Sequence, residues 1–190
     1  MTTPESYLCR KPRQSLGSHE VENQPEALAA VDLWHTDTML RDALGQLAPA
    51  WVSERLATLG NRLGRPEIAL WGEEANRYPP TLRAFDRYGR RLDEVDYHPA
   101  YHSLMREAIE GGWHAVAWEQ EHNGGHQAHL ASLYLLTQAE PGFCCPITMT
   151  HAAMPVLRHL SGAEAWRRTG IAACVMVIGQ QKPGSAWVSR

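Results

Sequence analysis

Three groups of residues in this chain carry side chains that could do chemistry. The first is Cys145-Pro146-Ile147-Thr148-Met149-Thr150, which runs into the small-residue stretch His151-Ala152-Ala153-Met154. Proline removes one backbone donor, the threonines offer hydroxyls, and Met149 and Met154 offer soft apolar surface. That combination can line a flat aromatic cofactor or an acyl chain, and ordinary packing draws on the same residue types. The second is His122-Asn123-Gly124-Gly125-His126-Gln127-Ala128-His129, in which His126 and His129 can share one helix face. No HExxH, CxxC or carboxylate at ligand spacing accompanies it, so these read as loop and helix-start histidines and no metal is assigned. The third is Cys145 with any of the ten histidines as a thiol–imidazole pair. Nothing local supports that pairing, and a buried cysteine acting as a small hydrophobe accounts for the residue. Arg90-Arg91 beside Asp93-Glu94 reads as a solvated charge cluster. No GxSxG, Walker or GxGxxG loop is present.

The chain of 190 residues is long enough for one domain with a real core. Hydrophobic content of 44% and charged content of 21% are those of a globular protein. A net charge of −3 gives no electrostatic case for nucleic acid or acidic membrane as a partner. No apolar run reaches the roughly 18–20 residues that span a bilayer. Met1 to Ser18 is polar and lacks the apolar stretch of a secretory signal. The adjacent Cys144 and Cys145, with Cys9 and Cys174, do not form a disulfide framework, which points to reduced thiols in the cytoplasm. Seven tryptophans against two phenylalanines is an unusual balance that suits cores and interfaces alike.

The elements that must position these residues are mostly helices. Asp37 to Leu47 is a helix with Thr36 or Asp37 as cap and an apolar face of Met39, Leu40, Ala43, Leu44 and Leu47. Pro49 to Leu63 follows, stopped by Gly64, and then Glu67 to Arg77. Tyr78-Pro79-Pro80 breaks the helical pattern, and residues 81–97 read as extended, turning at Gly89. His98-Pro99 opens another helix carrying Leu104, Met105, Ala108 and Ile109, interrupted at Gly111-Gly112. His126 to Glu140 is apolar nearly all round and so is expected to be buried on several sides. Thr150 to Leu160 is a helix bearing Pro155, and Ser161-Gly162-Ala163-Glu164 caps a short helix through Trp166. Residues up to Pro25 carry no apolar period and read as a mobile leader, followed by an extended arm from Val21.

Four pieces, taken in order, resemble one family. They are Val21-Glu22-Asn23-Gln24-Pro25; Pro79-Pro80 followed by Asp86-Arg87-Tyr88-Gly89-Arg90-Arg91-Leu92-Asp93; His98-Pro99-Ala100-Tyr101-His102-Ser103-Leu104-Met105; and Cys145 to Thr150. They resemble the N-terminal domain of the AidB-like branch of the acyl-CoA dehydrogenases, the adaptive alkylation-response flavoproteins. The resemblance implies an all-α fold, a helical bundle with one extended proline-flanked arm. In the family this domain packs against a middle β-domain and a C-terminal helical domain, with FAD between those two and this domain closing part of the substrate cavity. It further implies a flavoprotein oxidoreductase, commonly a tetramer, linked to protection of DNA from alkylation through its C-terminal domain.

On that basis residues 1–20 are expected to be a flexible leader, 21–166 the helical domain and 167–190 a divergent tail. Ile171 to Arg190 does not continue the family's flavin-site pattern. The expectation is a truncated member that alone neither holds FAD nor catalyses. No catalytic residue is assigned, and Ile147, Thr148, Met149 and Thr150 are carried over as a cavity wall. Expected partners are a second copy or the missing flavin and C-terminal domains, with DNA reached only through the latter and no membrane. The alternatives are a helical oligomerisation or interaction module, and a metal-binding protein using His122, His126 and His129.

Overall fold

The computed structural model describes residues 15–25 and 30–159. The expected helix through Trp166, the apolar run from Ile171 and the divergent tail lie outside the described residues. Inside the expected leader, Ser15–Leu16 (β1) and His19–Glu20 (β2) pair antiparallel. A turn rather than an apolar period defines this small hairpin, which is why the sequence pattern does not show it.

Helix α1, Thr38–Leu47, starts where the Asp37 carboxylate accepts the amide of Leu40 at 2.9 Å. Its expected apolar face is only partly used: Leu44 is buried, while Met39 and Leu47 are exposed. Helix α2, Ala50–Leu63, follows Pro49 and buries Val52, Leu56, Leu59 and Leu63, one face at helical spacing. Helix α3, Pro66–Arg77, opens on a proline in its first turn, where the missing N–H costs nothing. Helix α4, Pro99–Glu110, repeats that device after His98, whose Nδ1 accepts the amide of Ala100. Arg62 ties three of these helices together, its Nε and Nη2 donating to Glu107 of α4 and its Nη1 to Glu67 of α3.

The proline-flanked excursion is a β-hairpin. Strands Thr81–Phe85 (β3) and Arg91–Asp96 (β4) pair antiparallel, Leu82 opposite Val95 and Arg83 opposite Glu94. One extra residue on β4 makes a bulge there, and Asp93 takes a positive φ of 53°. The charges run along it as exposed ion pairs: Arg90 with Asp86, Arg91 with Asp93, and Arg83 with Glu94 and Asp96. Leu82, Phe85 and Tyr88 stand exposed on the arm.

After the short helix α5, Val116–Glu119, the chain turns at Gly124, whose φ is +82°. Helix α6, Gly125–Ala139, packs along both α2 and α5 and buries Ala128, His129, Ala131, Ser132, Leu135 and Leu136. It is less enclosed than its composition predicts, since Leu130 and Tyr134 lie exposed between the buried positions. Helix α7, Cys144–His159, follows a turn held by the buried Glu140, whose carboxylate accepts the amides of Gly142 at 2.8 Å and Phe143 at 2.9 Å. Val52, Leu56, Ile68, Leu104, Leu135, Leu136, Phe143 and Ile147 are fully buried at the centre. No helix among the described residues is long and apolar enough to cross a membrane.

Candidate functional site

Residues 145–150 do not precede a helix; they are its first two turns. The expected start at Thr150 is therefore corrected to Cys144. The physical reason is Pro146. A proline in the first helical turn removes an N–H that has no partner within the helix anyway, so it permits the helix to start early.

Helical periodicity then divides the four wall candidates. Ile147 and Thr150 point into the core, while Thr148 and Met149 are exposed, Met149 at 61%. Both threonine hydroxyls are already engaged, Thr148 Oγ1 donating to the Cys144 carbonyl at 3.0 Å and Thr150 Oγ1 to the Pro146 carbonyl at 2.9 Å. These are bonds to the helix's own backbone four residues back. What α7 presents outward is a stripe of Cys145, Thr148, Met149, Ala152 and Val156 at three- and four-residue spacing. It is nearly uncharged, and most of it is apolar or small. Cys144, beside the exposed Cys145, is buried, its thiol pushed up to about 12 by burial and then by Glu140.

Pro155 sits inside α7 and has no N–H to give to the carbonyl of His151, four residues back. That carbonyl is satisfied from another helix: the Trp118 indole N–H donates to it at 2.9 Å. The same contact stacks the two rings. The His151 imidazole lies between Trp118, with centroids 5.2 Å apart and planes at 22°, and His129, at 4.4 Å and 20°. His126 closes the group edge-on, its Nδ1 3.5 Å from His151 Nε2. The Arg158 guanidinium also lies over Trp118, 4.5 Å from the ring centre, held by Glu121 through both carboxylate oxygens.

Burial bears on the protonation of His129, His151 and His114. His129 Nδ1 lies 2.9 Å from the Trp113 carbonyl, so it carries the proton, and its Nε2 is buried with no partner. Burial lowers its proton affinity, and the neighbouring His126 adds to the effect. Burial followed by His129 and His126 does the same to His151, and burial followed by His129 to His114. Of the three histidines weighed as metal ligands, His126 and His129 both turn toward α7, while His122 is exposed. Although His126, His129 and His151 gather, no group of three or more ligating side chains among the described residues is placed to hold a metal ion.

Two members of this arrangement, Trp118 and His151, have no local sequence signal. Pro155 did carry one: a proline inside a helix leaves a carbonyl that needs a donor from elsewhere. The donor lies 33 residues away in sequence, so only the fold identifies it.

The family described as "Adaptive response protein AidB N-terminal domain" matches residues 23–174. The Escherichia coli K12 protein named "Putative acyl-CoA dehydrogenase AidB" is 41% identical over 141 residues, which is 74% of this chain and 26% of that protein. Among solved structures, the apo form of Bd2924 superposes with a TM-score of 0.65 at 27% identity, over 71% of this chain and 28% of that one. Caenorhabditis elegans ACDH-11, solved in complex with C11-CoA, superposes with a TM-score of 0.69 over 92% of this chain and 29% of that one. Its identity of 20% makes that a likeness of fold. The chain thus spans 26% of the length of the curated relative it matches.

Proposed function

This chain belongs to the AidB N-terminal domain family, and from that premise we propose that its bundle is the helical wall of an acyl-CoA dehydrogenase-type flavin site rather than the part that holds the flavin. The observation that carries the reading is the outward stripe of α7, Cys145, Thr148, Met149, Ala152 and Val156. It suits the flank of an acyl chain or a ring. It does not suit FAD's pyrophosphate, which needs clustered backbone amides or basic groups. The Thr148 hydroxyl is committed to Cys144, and Arg158 at the far end of α7 is committed to Glu121. The described residues therefore fit a wall and not a cradle, and no catalytic step is assigned to them. The flavin, the acyl thioester chemistry and any role in alkylation response belong, on this reading, to the assembled protein. The unpaired thiols of Cys144 and Cys145 suit a reducing cytoplasm.

Flavin stoichiometry tests the reading. The 190-residue chain, dialysed against FAD, is expected to stay colourless. Joined to the flavin-bearing remainder of the E. coli relative, it is expected to yield a yellow protein whose flavin absorption or thioester KM shifts on Met149→Trp. A stoichiometric flavin spectrum from the chain alone overturns it, as does a joined protein indifferent to Met149.

The β3–β4 arm supports a second reading, a self-association module. An isolated two-stranded hairpin is marginal in water, and Leu82, Phe85 and Tyr88 stand exposed on this one. Light scattering separates the readings: a defined oligomer that Leu82→Ser with Phe85→Ser dissociates supports the module, and a monomer removes it.

A further inference from the structure

We propose that His129 and His151, packed with Trp118 and the edge of His126 where α5, α6 and α7 meet, form an acid-released latch: neutral, they hold the second half of α7 against the bundle, and protonated, they let it go. The two halves of α7 are fastened differently. The first is anchored by the core residues Cys144 and Ile147, with buried Phe143 and the turn held by Glu140 just ahead of it. From His151 onward the attachments are the ring stack on His129 and Trp118, the indole bond to the His151 carbonyl, Met154, and the Arg158–Glu121 pair. Pro155 has already taken one helix bond from this half.

A proton on His129 has no good place in the cluster. On His129 it must go to Nε2, which is buried and faces no acceptor. On His151, whose Nε2 has His126 Nδ1 as an acceptor at 3.5 Å, it still puts a cation 4.4 Å from the buried His129 ring. A second proton on any of the three places like charges side by side. The surrounding charges do not compensate. Glu121, in the turn before α6, is engaged by Arg158, and Arg158 from α7 is itself a cation over Trp118. His122 is exposed on the same turn. Glu119 of α5 acts on His114, whose own Nδ1 is buried without a partner.

The sign follows from linkage. His129 and His151 bind protons less well folded than unfolded. Their contribution is complete above the ordinary value of 6.5 and is lost as pH falls below it toward the folded values, because the opened state takes up the proton first. Each lowered unit corresponds to about a tenfold shift of the opening equilibrium.

Amide hydrogen exchange on the 190-residue chain at pH 7.5 and pH 5.5, corrected for intrinsic rates, tests this. Peptides covering 151–159 are expected to lose protection, by up to about tenfold for each of His129 and His151, while peptides from α2 keep theirs. His151→Phe preserves the stack but cannot titrate, and it is expected to shrink the step. Unchanged protection of 151–159, equal loss across α2 and α7, or a full step in His151→Phe each overturns the latch. Should His151→Phe fail to fold, imidazole NMR titration of the native chain decides. His129 and His151 titrating below exposed His122 supports the latch, and all three titrating alike overturns it.

Discussion

Replacing Trp118 with Phe would isolate the bond that Pro155 makes necessary. Phe keeps a ring against His151 and under Arg158 but removes the indole N–H that reaches the His151 carbonyl at 2.9 Å. An ordinary hydrogen bond contributes about 0.5–1.5 kcal/mol net, and an acceptor left buried and unpaired costs about 1–3 kcal/mol. His151 is half-buried, so water recovers part of that loss, and the expected cost is about 1–2 kcal/mol. For a chain of this size that lowers the Tm by about 2–8 °C. The informative comparison is the same change in a Pro155→Ala background. Alanine restores the amide at 155, which can then bond the His151 carbonyl from within the helix. The indole becomes redundant, and Trp118→Phe should cost less than about 0.5 kcal/mol there. Urea unfolding of the four proteins by circular dichroism gives the cycle, with an expected coupling of about 1 kcal/mol between two residues on different helices. An equal cost of Trp118→Phe in both backgrounds would refute the account of why this tryptophan sits where it does.

Phe143→Ala removes a ring that is fully buried ahead of α7 and should cost about 3–5 kcal/mol in denaturant unfolding, whereas Met39→Ser on the exposed face of α1 should stay within about 0.5 kcal/mol. Gly72 of α3 faces the Ala139 carbonyl so closely that a Cβ would meet rigid backbone. Gly72→Ala should therefore lose about 1–3 kcal/mol, and a neutral result would mean that α3 and the end of α6 do not touch there. In a Cys9→Ser, Cys174→Ser background at pH 8, iodoacetamide should modify Cys145 rapidly and leave Cys144 untouched, since burial holds the Cys144 thiol protonated up to about 12. Mass spectrometry of the peptide carrying both resolves this, and early modification of Cys144 would contradict its burial.

How much was legible in the sequence depended on whether a residue's role is local. The helices α1 to α4 were readable to within a residue or so, because Asp37, Pro49, Pro66 and Pro99 act on the backbone next to them. The same rule misled at Pro146, since a proline looks alike whether it breaks a helix or sits in its first turn, and the turn that Glu140 holds ahead of the helix is a matter of three dimensions. The candidate wall shows the limit most clearly. The resemblance carries Ile147 to Thr150 over as one cavity wall, yet helical geometry sends Ile147 and Thr150 inward and leaves Thr148 and Met149 outside. The two hydroxyls that made the segment look ligand-ready bond its own backbone. The histidines divide in the same way. His122, His126 and His129 drew attention because they are close in sequence, but the fold separates His122 and brings in His151, 25 residues beyond His126. A metal site and a neutral stack can be written with the same residues. The burial of His129 Nε2 and its lack of a partner favour the stack, and both are properties of packing that no spacing encodes.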